Sequence, residues 1–161
     1  MQRIAKDGNC YFRAISHQLE LNSIFIPHKE IREKTCEEIK TKSEIYSNYI
    51  IGLCANEYAE TMSKDGIWAD YVAIYASSQT LNFSLNVFIS TGLRNQVNPG
   101  KILELNIFWI NENHFESIID LSILLEQKII VFSKMKLIKK FFKVKKNPGN
   151  SSITIKNKKN K

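Results

Sequence analysis

D-G-N-C-Y-F-R, residues 7–13, sets a cysteine between a turn sequence and the start of a helical pattern. Gly8 permits a tight backbone turn, and Asp7 and Asn9 have side chains that readily bond neighbouring amides. The N–H groups of a first helical turn have no partner within the helix, and their partial positive charge favours thiolate over thiol. The same amides can hold an oxyanion. Cys10 is therefore a candidate nucleophile, with Gly8 and Asn9 in the turn that would form the anion pocket.

A helix is expected to begin at Cys10. Phe12, Ile15 and Leu19 recur at i, i+3 and i+7, which places them on one helical face. Burial of that apolar face would fix where the helix starts, and so would hold the thiol in place.

His114, one of three histidines in the chain, is the candidate base. It lies in N-E-N-H-F-E-S-I, residues 111–118, just after the apolar run 107–110, where a strand can resume. Alternate residues of a strand point to the same face, so Glu116 can reach the imidazole while Phe115 turns into the core. Nucleophile, base and orienting acid are the groups that activated-thiol chemistry needs.

The third member of this set stays open from the residues alone. Glu112 is also two residues from His114, and Asn111 or Asn113 can orient the ring as an amide. Trp109 is close to His114 in the sequence and is a candidate for the lining of a substrate groove, although tryptophan at such a place more often belongs to the core.

Three blocks of the chain together resemble the OTU (ovarian tumour) cysteine proteases, in that family's order. The resemblance covers roughly residues 3 to 119, and the blocks are D-G-N-C-Y-F-R-A-I-S at 7–16, W-A-D-Y-V-A-I-Y-A at 68–76 and H-F-E-S-I at 114–118. It implies a papain-like α+β fold with a small mixed β-sheet flanked by helices and the nucleophile at a helix N-terminus.

The same resemblance implies a thiol-dependent deubiquitinase. Cys10 would be the nucleophile, His114 the general base, Glu116 the orienting acid, and Asp7 part of the oxyanion-side turn. The implied partner is ubiquitin or a polyubiquitin chain, and the implied chemistry uses no metal and no organic cofactor. A ubiquitin-like modifier or an ordinary peptide would suit the same chemistry.

Composition indicates one domain with a real core, since 43% of the 161 residues are apolar. The sequence has no run of eighteen apolar residues, and residues 1–20 lack the apolar centre of a secretory signal. We therefore expect a soluble, monomeric protein of the cytoplasm, with the nucleus as a further location.

Three cysteines without a close C-x-x-C pair argue against a disulfide framework and a zinc site. Cys36 and Cys54 lie in helical patterns and are predicted to be small buried hydrophobes.

The charge is divided unevenly along the chain. Residues 1–119 hold 11 Lys and Arg against 14 Asp and Glu, a net charge of −3, whereas residues 120–161 hold 12 against 2, a net charge of +10. We predict a protease-like domain over residues 1–132 and a basic, flexible tail over residues 133–161. The rival interpretation is a catalytically silent domain that binds ubiquitin or, through its tail, an acidic partner such as nucleic acid or a membrane surface.

The order of periodic segments favours an α+β architecture, with helices first and strands later. Four helices are predicted: one from Cys10, a charged surface helix over residues 28–46, one over residues 51–62 and one over residues 68–76. Alternating residues predict strands over 81–89 and 103–109, with residues 92–100 as a loop or hairpin connection. Beyond Asp120 the predictions are a last strand or helix over 121–132, a basic amphipathic helix over 134–146 and disorder over 147–161.

Overall fold

The computed structural model describes residues 1–111 and 113–119. In chain order its elements are five helices and four strands over those residues: α1 (Cys10–Leu21), α2 (His28–Thr41), α3 (Ser43–Tyr46), α4 (Ala55–Met62), α5 (Tyr71–Thr80), β1 (Phe83–Ile89), β2 (Gly92–Val97), β3 (Leu103–Ile110) and β4 (His114–Ser117). The helices precede the strands, so the predicted α+β architecture is confirmed.

The four strands form one mixed sheet in the order β2-β1-β3-β4. The central pair, β1 and β3, is parallel and runs in register from Phe83 opposite Leu103 to Phe88 opposite Phe108. The two outer pairs are antiparallel, and β4 is joined to β3 through the pair Ile110 and His114. The small mixed sheet flanked by helices that the family resemblance implied is therefore present.

One prediction about the sheet was wrong. Residues 92–100 were expected to connect two strands, but residues 92–97 are themselves the strand β2, which forms a hairpin with β1. All but the last residue of β2 are exposed, because it lies at the edge of the sheet. A strand without a buried face carries no apolar alternation, so the sequence pattern could not reveal it.

Helix α1 holds the candidate nucleophile against the sheet. The predicted face of Phe12, Ile15 and Leu19 is buried, which confirms the helix and its start at Cys10. Gln18 then joins α1 to two strands: its Nε2 donates to Ser117 Oγ at 2.7 Å, and its Oε1 accepts from the Asn106 N–H at 2.8 Å. The helix is thereby fixed against β4, which begins at His114.

The second predicted helix differs from the structure in extent and in burial. It is split into α2 and α3 at Lys42. It is also no surface helix, because α2 buries Ile31, Arg32, Cys36 and Ile39 between its neighbours. Ile31, Thr35 and Ile39 form a weak stripe in the sequence, and the many charged residues around it led to the prediction of a surface helix.

The next two helices begin later than predicted. Ile51 is 96% exposed and lies before α4, which starts at Ala55. Cys54 is exposed as the N-cap of α4, so the prediction that it is buried was wrong; Cys36 is buried as predicted. The Cys54 thiol accepts from the Glu57 N–H, and polar capping explains why Cys54 remains at the surface. Trp68 likewise precedes α5.

Several predictions fall on residues outside those described. These are an orienting role for Glu112, the element over 121–132, the amphipathic helix over 134–146, the disorder over 147–161 and the domain boundary between residues 132 and 133. Within residues 1–111 and 113–119, no helix combines the length and apolarity needed to cross a membrane.

Candidate active site

Cys10 is the first residue of α1 and is 1% exposed. Its position puts the thiol at the positive end of a helix of 12 residues, as the sequence predicted. The candidate anion-pocket residues Gly8 and Asn9 lie in the turn immediately before it, and both are buried.

Asp7 organises this turn through both its carboxylate and its carbonyl. The carboxylate accepts a hydrogen bond from the Asn9 N–H at 2.9 Å and forms an ion pair with Arg13 at 2.9 Å. The Asp7 carbonyl accepts from the Cys10 N–H at 3.1 Å. Burial raises the pKa of the Asp7 carboxyl, but the bonds from Arg13 and Asn9 outweigh it and the pKa lies below its ordinary value. Asp7 is therefore held as a carboxylate that shapes the turn.

The opposite side of the turn is fixed by residues that sequence reasoning missed. Asn9 makes no side-chain cap to α1; its Oδ1 accepts from Arg32 at 2.8 Å and from the Gly66 N–H at 3.3 Å. Arg32 also donates to the Gly8 carbonyl at 3.0 Å. In a helix rich in Lys and Glu, an arginine is predicted to be solvated, so the sequence gives no signal of this contact.

Gly8 is required by a close approach of two backbones. A Cβ atom built on Gly8 would lie 1.5 Å from the carbonyl oxygen of Gly66, which is far inside contact distance. The glycine therefore lets the loop before Trp68 pack directly on the nucleophile turn.

His114 is the first residue of β4 and is 1% exposed. Its Nε2 lies 3.9 Å from Glu116 Oε1, the predicted neighbour on the same strand face. That separation suits an ion pair with a charged imidazole and is too long for a hydrogen bond. Among the described residues neither ring nitrogen of His114 has a hydrogen-bond partner, and the alternatives Asn111 and Asn113 make no side-chain bond to it.

The structure packs α1, which begins at Cys10, against β4, which begins at His114. Gln18 of α1 donates through its Nε2 to Ser117 Oγ of β4 at 2.7 Å. The Phe115 ring also packs edge-on against Tyr11, with 5.5 Å between ring centroids. Burial raises the pKa of the Cys10 thiol, the N–H groups of Phe115 and Tyr11 lower it, and the net shift is upward. The resting group is thus a thiol that needs a base at neutral pH.

An aromatic groove of about 500 Å³ is lined by Asn113 and Phe115, the sequence neighbours of His114, but not by Cys10, His114 or Glu116 themselves. It is bounded by α5, by the sheet and by residues 68–70, and its lining includes Trp68, Arg94, Trp109 and Phe115. Trp109 stacks on Phe115, and the Arg94 guanidinium lies 4.1 Å from the centroid of the Trp109 ring. The structure thus places Trp109, the predicted groove residue, in contact with the strand that carries His114.

No cluster of three or more metal-binding side chains occurs within the described part of the chain. A thiol at the start of a helix that packs against a strand with histidine and a carboxylate two residues apart provides the residue types that a papain-like cysteine protease uses.

The family model described as OTU-like cysteine protease matches residues 5–117, which span all of the site just described. The chain belongs to this family.

Individual relatives agree with that membership. The chain is 28% identical over 119 residues to "OVARIAN TUMOR DOMAIN-containing deubiquitinating enzyme 11" of Arabidopsis thaliana, a match that covers 70% of this chain and 46% of the relative. The chain spans about half, or less, of the length of the curated relatives it matches first.

Solved structures show the same fold. The OTU domain of OTUD1 superposes with a TM-score of 0.61 at 26% identity, over 73% of this chain and 83% of that one. An OTU deubiquitinase from Wolbachia pipientis wMel bound to ubiquitin gives a TM-score of 0.60 at 16% identity, over 74% of this chain and 94% of that one. The second likeness is one of fold alone.

Proposed function

We propose that this chain is a cysteine-type deubiquitinase that hydrolyses isopeptide or peptide bonds at the C-terminus of ubiquitin. The observation that carries the proposal is the packing of Phe115 on Tyr11, with 5.5 Å between ring centroids, because it brings the residue after His114 against the residue after Cys10. Membership of the OTU-like family and similarity to a deubiquitinating enzyme of Arabidopsis thaliana support ubiquitin as the substrate.

In the proposed reaction His114 takes the proton of Cys10, and the thiolate attacks the carbonyl carbon of the terminal glycine of ubiquitin. The carbonyl oxygen becomes an oxyanion, which is held at the positive N-terminal end of α1, where the Cys10 N–H would be shared between the oxyanion and the Asp7 carbonyl. His114 then protonates the leaving lysine amine, and the C–N bond breaks to leave a thioester. Water attacks the thioester, releases the carboxylate and returns the thiol.

Glu116 is the proposed third member of the triad. Proton transfer gives His114 a positive charge, and the Glu116 carboxylate at 3.9 Å is placed to stabilise it. A small rotation of either side chain would shorten the separation to a charge-assisted hydrogen bond. Glu116 is also shielded from water, which strengthens its electrostatic effect.

The aromatic groove is the proposed path of the substrate chain toward Cys10. It opens beside residues 113 and 115, on either side of His114 in the sequence. Its aromatic lining suits an extended peptide, and Trp109 would contact that peptide close to the reacting carbonyl.

Labelling with ubiquitin that carries a C-terminal propargylamide tests the proposal. This electrophile should form a covalent adduct with the wild-type chain and with Cys54→Ser, and none with Cys10→Ala. Cys54 is a sharp control because its thiol is exposed while that of Cys10 is buried. A small alkylating reagent should therefore react first at Cys54, whereas a reagent recognised as substrate should react at Cys10.

An adduct that is lost in Cys54→Ser and kept in Cys10→Ala would contradict the proposed site. A folded wild-type chain that forms no adduct would contradict the function, and would favour a silent binding domain if ubiquitin still bound. Matched probes of ubiquitin-like modifiers, run beside ubiquitin, would show which modifier reacts fastest.

A further inference from the structure

Arg32 is a buried cation without a carboxylate partner among the described residues. The residue is 4% exposed, and no acidic oxygen of the described chain lies within ion-pair distance of it. Removing a guanidinium from water is costly unless its N–H groups are all well bonded. A buried arginine held only by neutral groups therefore calls for a reason beyond packing.

Neutral oxygens and one aromatic ring take the place of a carboxylate. The Nη2 group of Arg32 donates to the Gly8 carbonyl at 3.0 Å, to Asn9 Oδ1 at 2.8 Å and to the Ile67 carbonyl at 2.9 Å. Nη1 donates to the Met62 carbonyl at 2.7 Å. The guanidinium also lies 4.2 Å from the centroid of the Phe12 ring in α1. One side chain from α2 thus joins the nucleophile turn, the start of α1 and the segment that leads to Trp68.

The contact with Gly8 fixes the peptide plane just before the nucleophile. The Gly8 carbonyl and the Asn9 N–H belong to one planar trans peptide and point in opposite directions. Arg32 binds the carbonyl on one side, and the Asp7 carboxylate accepts from the N–H at 2.9 Å on the other. A rotation of this peptide would break both bonds, so the two charged side chains hold it in one orientation.

We propose that Arg32 is a positioning residue for the thiol chemistry at Cys10. It holds the Gly8–Asn9 peptide in the orientation that the anion pocket requires, and it ties the segment entering the aromatic groove to the same cation. This inference rests on the proposed deubiquitinase function. A lysine cannot replace the arginine fully, because its single ammonium nitrogen cannot reach all four acceptors that the two Nη atoms of the planar guanidinium bind.

Steady-state kinetics with ubiquitin carrying a C-terminal fluorogenic amide test the inference. Arg32→Met should lower kcat by about 10- to 100-fold while KM stays within about threefold, because a misplaced anion pocket weakens transition-state binding more than substrate binding. Arg32→Lys should lie between Arg32→Met and the wild type. Lys34→Met, on the same helix but at the surface, should match the wild type.

The activity of each variant is measured at a temperature well below its melting midpoint and again at a lower temperature. A purely structural role predicts a loss that follows the unfolded fraction and disappears on cooling, whereas the positioning role predicts a loss of kcat that persists in folded protein. A folded Arg32→Met chain with wild-type kcat, or with a loss that lies in KM, would overturn the inference.

A double-mutant cycle keeps the inference testable where Arg32→Met does not fold. Asn9→Ala removes one acceptor of Arg32, and it is combined with Arg32→Lys, which keeps the buried charge. The effects on kcat should be clearly less than additive, since both changes loosen the same turn; additive effects would refute the coupling.

If the wild-type chain itself releases no fluorophore, the proposed function fails and this inference with it, whereas an active wild type with unaffected variants refutes the inference alone.

Discussion

The nucleophile side and the base side of the candidate active site differ in how their polar groups are held. Around Cys10 the turn is bonded on both faces, by Asp7 and Arg13 on one and by Arg32 on the other. His114 is just as buried, yet neither of its ring nitrogens has a hydrogen-bond partner among the described residues. The fold thus bonds the turn before Cys10 on both faces and leaves the buried imidazole of His114 without a hydrogen-bond partner among the described residues. Damage on the first side should cost stability and activity together, whereas damage on the second should cost activity alone.

Removal of the base should produce the largest selective loss. His114→Ala should lower kcat/KM for the fluorogenic ubiquitin substrate by about 1000-fold, within the range of general-base contributions. The residual rate should rise with pH, because the Cys10 thiol, whose pKa burial raises, must then ionise unaided. Stopped assays from pH 6 to 9 measure both effects. A residual rate that stays flat across that range would show that thiol ionisation does not limit the variant.

Gly8→Ala should damage the nucleophile side and affect both properties. The new Cβ meets the Gly66 carbonyl, so the loop or the turn must shift. We expect a loss of about 1–3 kcal/mol in the free energy of unfolding, as for overpacked sites, and at least about a tenfold loss of kcat. Urea denaturation and steady-state assays measure the two quantities.

Gly52→Ala is the matched control for Gly8→Ala. Gly52 has a φ of 79° with nothing within 4 Å of an added Cβ, so it tests backbone strain without a clash. It should cost about 1 kcal/mol of stability and leave kcat unchanged. A Gly8→Ala chain that keeps full activity would show that the turn tolerates displacement, and would remove the contrast between the two sides.

Glu116→Ala should cost about tenfold in kcat/KM, because the charge that stabilises protonated His114 is lost while the base remains. Little stability should be lost, since Glu116 accepts no hydrogen bond among the described residues. Asn111→Ala and Asn113→Ala, assayed in parallel, should have smaller effects. If either asparagine variant loses more activity than Glu116→Ala, the orienting role belongs to that amide.

Asp7→Asn should have a small effect on stability, and that effect should depend on pH. Bonding to Arg13 and Asn9 holds the pKa of Asp7 below its ordinary value, so the carboxylate contributes stability above the unfolded pKa. This contribution is lost as the pH falls through the lowered folded pKa. The wild type should therefore be more stable than Asp7→Asn at neutral pH, by at most about 1 kcal/mol for so exposed an ion pair.

The difference between the two chains should shrink as the pH falls below about 4, where an unfolded aspartate becomes protonated. Thermal melts from pH 2 to 7 measure it. A stability difference that is independent of pH would mean that the Asp7 charge is irrelevant to the fold.

Sequence reasoning succeeded where the signal was local and the buried face was periodic. The start of α1 followed from the turn residues before Cys10 and the apolar face after it, and β4 followed from the alternation at His114, Phe115 and Glu116. It failed where exposure or long-range contacts decided the outcome. The edge strand β2 has no buried alternation, and Cys54 is exposed because it caps a helix that begins later than its apolar pattern indicated.

The amino-acid sequence by itself determined the α+β class, the helix that begins at Cys10 and the identity of the candidate nucleophile and base, because these depend on spacing within short segments. Only the tertiary structure decided that Arg32 donates to the Gly8 carbonyl, that the Gly66 carbonyl lies where a side chain at position 8 would be, and that Phe115 packs on Tyr11. Such contacts join residues 24 to 104 positions apart. They arise only when helices and strands pack, and no local periodicity encodes that packing.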